Sequence, residues 1–403
     1  MRAPWRLLIL AAGLPPLACA SVLGFEDVTV DENPGGDGGA SSATSASGPS
    51  TSQGTGGGAT TGTSGQGGQG GCGDTDGDAA NCGACGHDCL GGKCEGGQCQ
   101  PVLLASGLNH PRGIAVDGTK VYVAEEGGNV IRSLGKVDGQ GGELIASSAV
   151  GVSAPFGIAV DDDGLYFTNS GSNLSVMRCP KTAPCSPVTL DPPASCYFPA
   201  HILVRTSFAY WMDAYANTIE KADKATGSGK VVVTQTSNGY EGGEYAWFDL
   251  DDQYVYWNDR TPGNVRRRPL SGGAPVTLYS GQDMPSSLVL ADGTLYWANA
   301  GYNAGEGSIL SSPPEGAPSP TIVAVGQKYP AAIVVDASYV YWLQEGTEPM
   351  YQDGGLSRCA VGGCGGLPEV LVSDLGDPRA LTQDAEALYY TTWGDGEVWK
   401  LAK

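Results

Sequence analysis

Val121-Tyr122-Val123 opens a series of seven apolar-aromatic bursts between residues 101 and 403. The other six carry tyrosine at the same place: Leu165-Tyr166-Phe167, Ala209-Tyr210-Trp211, Val255-Tyr256-Trp257, Leu295-Tyr296-Trp297, Val340-Tyr341-Trp342 and Leu388-Tyr389-Tyr390. From tyrosine to tyrosine the steps are 44, 44, 46, 40, 45 and 48 residues. A period in the forties with strand-like runs inside each unit is typical of a β-propeller. The sequence therefore predicts an all-β fold of seven four-stranded blades, with six blades as the alternative.

Each unit surrounds its burst with further strand-like runs. In the first unit, strands are predicted at residues 111–116, 121–124, 129–133 and 143–146. The inner strand carries the small residues Gly113 and Ala115, which suit the crowded axis of a propeller, and it ends in a turn at Asp117. Tyr122 and its equivalents are large enough to fill the gaps between neighbouring blades.

The two ends of the repeat region complement each other. The seventh unit stops at its third strand, residues 398–401, and lacks an outer strand. Residues 102–106, Val-Leu-Leu-Ala-Ser, resemble the outer strand of the first unit. Pairing these two segments would close the ring and remove an exposed edge. The sequence therefore predicts one propeller domain over residues 101–403.

The composition excludes several classes of partner. There are 43 acidic and 22 basic residues, for a formal net charge of −21. Nucleic-acid binding needs clustered lysine and arginine, and docking to anionic lipid needs a basic surface, so neither is expected. The acidic balance instead favours a monomer that stays in solution. Beyond the N-terminus, no apolar run reaches the roughly 18 residues of a membrane span.

Residues 1–19 have the layout of an export signal. Two arginines precede the apolar run 7–14, and small residues surround Cys19. The end of the segment resembles a bacterial lipobox, in which Cys19 becomes the acylated first residue, although Pro16 stands where leucine is usual. By the same resemblance, Ala20 after the cysteine implies an outer-membrane destination. Cleavage by ordinary signal peptidase, which would leave a secreted protein, is the alternative.

The segment 20–71 is predicted to be a disordered linker. From residue 31 onward it is nearly all Gly, Ser, Thr, Ala and Gln, with no aromatic residue. Such a segment cannot bury enough apolar surface to offset its ordering entropy. A flexible coil of about 40 residues has a typical reach of roughly 35 Å, enough to hold a folded domain clear of a membrane surface.

Residues 72–100 form a cysteine-rich module. Its six cysteines lie within 28 residues: Cys72, Cys82, Cys85, Cys89, Cys94 and Cys99. An exported segment with so few aliphatic residues cannot build a core, so three disulfides are predicted, with 15 connectivities open. Zinc binding through the Cys82-Gly-Ala-Cys85 pair is the alternative. The stretch from Asn81 to Gly86 resembles the cysteine-rich module of plant stigma-specific proteins, which implies no enzymatic activity.

No cofactor is predicted for the protein, with calcium as the alternative. Asp74, Asp76 and Asp78 alternate as calcium ligands can, but the rest of a calcium-loop pattern is missing. A solvated acidic turn explains the same alternation.

Five further cysteines lie in the repeat region. Cys179 and Cys185 follow the third strand of one unit, and Cys359 and Cys364 hold the equivalent place four units later, so each pair is predicted to form a local disulfide. Cys196 is left over as a buried free thiol or as a partner for a module cysteine. A catalytic thiol assisted by the nearby His201 is a third reading.

Short stretches of the repeat resemble known propeller families. Residues 111–129 resemble the NHL repeat, whereas Tyr210-Trp211-Met212-Asp213 and Tyr256-Trp257-Asn258-Asp259 resemble the YWTD repeat of lipoprotein receptors. YWTD propellers have six blades, so these resemblances support the fold class without deciding the blade number or a function.

Ligands of propellers usually bind where loops gather on one face around the axis. On this register, the loops that enter the inner strands and the loops between second and third strands share that face. They bring together acids, amides, histidines and aromatic residues: His110, Arg112, Glu125, Asn169, His201, Asp213, Glu244, Asp259, Asn299, Arg379 and Trp393. Such a set suits a carbohydrate, a peptide or a divalent cation. Polar residues after strands are also ordinary turn formers.

The best-supported function from sequence is a non-catalytic, cell-surface or secreted scaffold that binds a protein, peptide or glycan. A propeller enzyme is the first alternative, either a metal-dependent lactonase-like hydrolase or a lyase resembling the streptogramin-inactivating type. Such enzymes need acids for a metal or a histidine as general base or acid, and the repeat region contains only His110 and His201, in units that are not adjacent. A structural envelope protein, with contacts made by the cysteine-rich module, is the second alternative.

Overall fold

The computed structural model describes residues 72–192, 198–237 and 247–403. The predicted export signal with Cys19, the linker 20–71, Cys196 and Glu244 lie outside the described residues. In the part of the chain that is described, no helix is long and apolar enough to span a membrane. Apart from a 3-10 helix at Ser148–Val150, the elements in these ranges are all β-strands.

The strands group into a hairpin followed by seven blades. The hairpin contains β1 (Cys94–Glu95) and β2 (Gln98–Cys99), and β3 (Val102–Ala105) follows it. Blade 1 contains β4 (Pro111–Val116), β5 (Lys120–Glu125), β6 (Val130–Gly135) and β7 (Gly139–Ser147). Blade 2 contains β8 (Pro155–Val160), β9 (Leu165–Asn169), β10 (Ser175–Cys179) and β11 (Val188–Asp191). Blade 3 contains β12 (Pro199–Arg205), β13 (Phe208–Asp213), β14 (Thr218–Asp223) and β15 (Val231–Gln235).

The remaining four blades repeat this arrangement. Blade 4 contains β16 (Phe248–Leu250), β17 (Tyr254–Asp259), β18 (Asn264–Pro269) and β19 (Val276–Tyr279). Blade 5 contains β20 (Pro285–Ala291), β21 (Thr294–Asn299), β22 (Gly307–Ser312) and β23 (Thr321–Gln327). Blade 6 contains β24 (Pro330–Val335), β25 (Tyr339–Gln344), β26 (Gly354–Ala360) and β27 (Glu369–Leu375). Blade 7 takes β28 (Pro378–Gln383), β29 (Ala387–Thr392) and β30 (Glu397–Ala402) from the end of the chain.

Blade 7 receives its outer strand from the other end of the repeat region. Its strand order is β28-β29-β30-β3, and β3 pairs antiparallel with β30 through Val102–Lys400, Leu103–Trp399 and Ala105–Val398. The predicted ring closure is therefore confirmed, one residue shorter than expected from the sequence. The seven-bladed prediction is confirmed as well, and the six-bladed alternative is wrong.

The tyrosines of the repeat pack between blades, as predicted. Tyr256 of blade 4 lies in one buried cluster with Leu288, Leu295 and Trp297 of blade 5. Tyr210 packs in the same way among residues of blade 4, and Tyr296 among residues of blade 6. Each burst thus supplies a tyrosine toward the next blade and other apolar side chains toward the previous one, because successive side chains of a strand point to opposite faces.

In four of the seven blades, a hydrogen bond explains why this residue is tyrosine and not phenylalanine. The hydroxyl of Tyr256 donates to Asp251 Oδ2 at 3.0 Å, while Asp251 Oδ1 accepts the main-chain N–H groups of Gln253 and Tyr254. The aspartate thereby holds the turn between the first two strands, and the tyrosine holds the aspartate. The same Tyr-to-Asp bond recurs in blades 1, 6 and 7: Tyr122–Asp117, Tyr341–Asp336 and Tyr389–Asp384.

These turn aspartates also link neighbouring blades. Lys224, after the third strand of blade 3, contacts Asp161 of blade 2 at 2.6 Å. The same type of pair joins three further blade boundaries: Lys136–Asp384, Lys181–Asp117 and Lys403–Asp336. The face opposite the proposed ligand-binding face therefore carries a series of inter-blade ion pairs.

The cysteine-rich module packs against blade 7. Its disulfides are Cys72–Cys85, Cys82–Cys94 and Cys89–Cys99, so none of its six thiols is free to hold zinc. The Lys400 ammonium donates to the main-chain oxygen of Leu90 at 2.6 Å, and His87 Nε2 contacts the main-chain oxygen of Lys403. Two further disulfides, Cys179–Cys185 and Cys359–Cys364, join the third strand of a blade to the following loop, as the repeat register predicts.

Candidate functional site at the propeller mouth

The mouth is the face where the loops that enter the inner strands meet the loops between second and third strands. In most blades the two loops are joined by a main-chain hydrogen bond, such as Glu126 N–H to the oxygen of His110 at 3.0 Å and Trp393 N–H to the oxygen of Asp377 at 2.9 Å. The residue before the inner strand adopts a left-handed conformation in five blades: His110, Ala154, Met284, Tyr329 and Asp377. The paired loops give the mouth a fixed frame.

Several predicted site residues belong to this frame. Glu125 accepts the main-chain N–H of Asn109 at 3.1 Å, and Asn169 accepts that of Ser153 at 3.0 Å. Asp213 Oδ1 accepts the N–H groups of Phe198 and Ala216. All three carboxyl or amide groups are buried, and each holds a loop that enters an inner strand. A direct ligand contact by any of them stays a prediction.

Asp259 and Asn299 are also buried at the ends of second strands. Asp259 accepts hydrogen bonds from the N–H of Ser237 and the indole of Trp257, and it contacts the Arg266 guanidinium at 3.3 Å. Asn299 Nδ2 donates to Gln282 Oε1 at 3.1 Å. Through these contacts the two residues also support the blades.

The remaining predicted residues within the described ranges reach the axis or its rim. Arg112, His201 and Arg379 line a central channel of about 310 Å³. His110 and Trp393 stack on the rim, with ring centroids 4.0 Å apart and planes inclined by 15°. The structure therefore brings these five residues to the channel or to its rim.

Charged groups at the channel occur in pairs. Arg112 contacts Glu126 at 3.3 Å, and the indole of Trp393 donates to the same carboxylate. Arg379 contacts Asp377 at 2.7 Å and Glu345 at 3.1 Å, and the Glu345 side chain is only 3% exposed. Each guanidinium thus already has a carboxylate partner.

Aromatic rings form the other part of the channel wall. The Arg112 guanidinium lies over the ring of Phe156 at 4.2 Å. His201 packs against Trp247, with ring centroids 4.2 Å apart. Burial, together with the charge of Arg205, lowers the pKa of His201 to about 3, so its imidazole is neutral at physiological pH.

Sequence reasoning missed Trp247 and Glu345. The strand pairing Phe248–Trp257 corresponds to Ile202–Trp211 one blade earlier, which places Trp247 at the position of His201. Blade 4 lacks the proline that begins the other inner strands, and without it the inner strand of this blade is difficult to align with the others from sequence. Glu345 and Glu126 are each the third residue after a burst, so their equivalence was open to a comparison of all seven units.

One group of three potential metal ligands lies close together among the described residues. The only three potential ligands close enough to share an ion there are Cys82, Cys89 and Cys99, all of which are in disulfides. At the acidic turn of the module, Asp74 Oδ1 accepts the N–H groups of Asp76 and Gly77, so this carboxylate shapes its own loop.

Comparisons with known proteins identify the fold alone. No family model and no curated protein matches the chain. Virginiamycin B lyase from Staphylococcus aureus is similar in structure, with a TM-score of 0.60 at 16% identity over 75% of this chain and 98% of that chain. Hydrazine synthase from Kuenenia stuttgartiensis gives 0.53 at 13% identity, over 74% and 97% of the two chains. The computationally designed protein Ika8 gives 0.52 at 10% identity, over 75% and 99%. Since enzymes and a designed protein share this architecture, function has to be argued from the site.

Proposed function

We propose that this protein is a non-catalytic binding propeller whose mouth holds a protein, peptide or carbohydrate ligand. The observation that carries the proposal is the composition of the channel wall, which combines aromatic faces with arginines that are already paired to carboxylates. A rigid, mostly apolar cavity with a few fixed polar groups is the usual form of a binding site.

The pKa and the placement of the two histidines in the propeller favour binding over catalysis. A general base works best with a pKa near the operating pH, and the low pKa of His201 makes it a weak proton acceptor. His110 is stacked on Trp393 at the rim, beside blade 1, whereas His201 lies in blade 3. The two histidines therefore belong to blades that are not adjacent. His201 is therefore poorly suited to serve as the general base of the lyase-like alternative.

We further propose that the protein is exported and held at the outer membrane through acylated Cys19, with release as a secreted protein as the alternative. This proposal rests on the basic start, the apolar run 7–14 and the small residues around the cysteine. Metabolic labelling with an alkyne fatty acid is expected to mark the wild-type chain and not Cys19→Ser. Equal labelling of both chains, or none, would exclude the anchor.

Binding through the mouth can be tested with the full chain on peptide and glycan arrays. Trp247→Ala is expected to weaken retention of the bound ligands at least tenfold, because it removes a channel wall. Phe208→Ala is the matched control, since Phe208 is an aromatic residue, 37% exposed, at the start of the second strand of blade 3 on the opposite face. Binding of a peptide or carbohydrate at the mouth is ruled out if neither array retains the wild-type chain, or if both variants bind like it.

A further inference from the structure

The channel is asymmetric, although the blades that build it repeat. At the second position of the inner strands, blades 1, 2 and 7 carry the large residues Arg112, Phe156 and Arg379, whereas blades 5 and 6 carry Ser286 and Ala331. All five line the channel. The space inside the channel is therefore bordered by small side chains at blades 5 and 6 and by guanidinium and aromatic groups at blades 7, 1 and 2.

At the third position of the inner strands, ring-shaped side chains add a flat surface to the channel. In blade 1 this position must be glycine, because a Cβ on Gly113 would collide with the main-chain oxygen of Phe156. Blades 3 and 4 carry His201 and Trp247 there instead, and the two rings pack against each other at the channel. An indole face beside a space of this size suits stacking of another flat or ring-shaped group.

The charges on the wall select against an ionic ligand. The residues that line the channel include two guanidinium groups, of Arg112 and Arg379, and the carboxylate of Glu345. An anion would compete with Glu126, Asp377 and Glu345 for arginines that these carboxylates already contact. A cation would lose its hydration next to two guanidinium groups. A neutral ligand avoids both costs.

A sugar ring meets these requirements. Each sugar hydroxyl can donate one hydrogen bond and accept others, which matches a wall that offers guanidinium N–H donors beside a carboxylate acceptor in fixed positions. Its C–H face can stack on an indole. We infer that the mouth channel binds a neutral sugar ring, stacked on Trp247 and hydrogen-bonded to Arg379 and Glu345. This inference rests on the proposed function and names its ligand class.

Matched sugars test the inference with the full chain. Glucose, galactose, mannose and N-acetylglucosamine supply neutral rings, and the uronic acid and amino sugar of each hexose supply anionic and cationic counterparts. Saturation-transfer NMR and calorimetry are expected to detect at least one neutral sugar and to show tenfold or weaker binding of its charged counterparts. Trp247→Phe should retain most of the binding because it keeps a ring, Trp247→Ala should lose it, and Phe208→Ala should bind like wild type.

The possible outcomes separate this inference from the proposed function. It is overturned if no neutral sugar binds, if the charged counterparts bind as tightly, or if Trp247→Ala binds like the wild-type chain. Peptide-array binding that depends on Trp247, without any sugar binding, would overturn the sugar assignment and leave a binding propeller. Ligands that bind the wild-type chain and all three variants alike would overturn both.

Discussion

Replacing Leu104 by alanine tests the closure of the ring. Leu104 lies on β3, the strand that blade 7 receives from before blade 1, and its side chain is 6% exposed. It packs in one cluster with Val121 and Leu134 of blade 1 and Val398 of blade 7. Its neighbour Leu103 is on the same strand but is 42% exposed, so it provides a matched control.

The expected loss of stability follows from burial. The change from leucine to alanine removes three buried carbon atoms. At about 0.8 kcal/mol of transfer free energy for each buried carbon, this loss is about 2.4 kcal/mol. The cavity left between two blades raises the cost for Leu104→Ala to about 3 kcal/mol. For Leu103→Ala, partial exposure and access of water to the gap reduce the expected cost to about 1 kcal/mol.

Urea unfolding followed by tryptophan fluorescence measures the difference, since buried tryptophans of four blades report on the packing. Leu104→Ala is expected to lower the free energy of unfolding clearly more than Leu103→Ala does. Equal losses, or a larger loss for Leu103→Ala, would show that β3 does not seal the ring through the packing described above.

Three other substitutions test the contacts that hold the blades. Tyr256→Phe removes the hydrogen bond to Asp251 and should lower the free energy of unfolding by about 1 kcal/mol in calorimetry, and an unchanged value would contradict the role of the hydroxyl. Lys224→Met should cost about 1 kcal/mol in urea unfolding at low salt and less in high salt, because it breaks the pair with Asp161, and a loss that is independent of salt would contradict an electrostatic cause. Burial raises the pKa of Asp213 from 3.8 to about 6, a difference that corresponds to about 3 kcal/mol, so the folded state should gain stability as pH falls from about 6 to 4. Asp213→Asn should lack this gain when unfolding is followed across that pH range, and a pH dependence like that of the wild-type chain would refute the assignment.

The amino-acid sequence determined the architecture because the repeat is a local pattern. Each burst around a tyrosine specifies a strand, and its period counts the blades. The missing outer strand of blade 7 and the extra strand at 102–106 predict how the ring closes. The local cysteine pairs followed from the same register, since their members are only five or six positions apart in the sequence.

The tertiary structure decided the chemistry of the mouth. Glu125, Asn169 and Asp213 follow strands just as ligand-binding residues do, and only the fold shows that they are buried against the loops that enter the inner strands. Trp247 and Glu345 line the channel because the seven inner strands surround one axis. The connectivity of the six module cysteines likewise depends on how that short segment folds. A repeat encodes contacts within and between its units, whereas the distances across the axis exist only once the ring is closed.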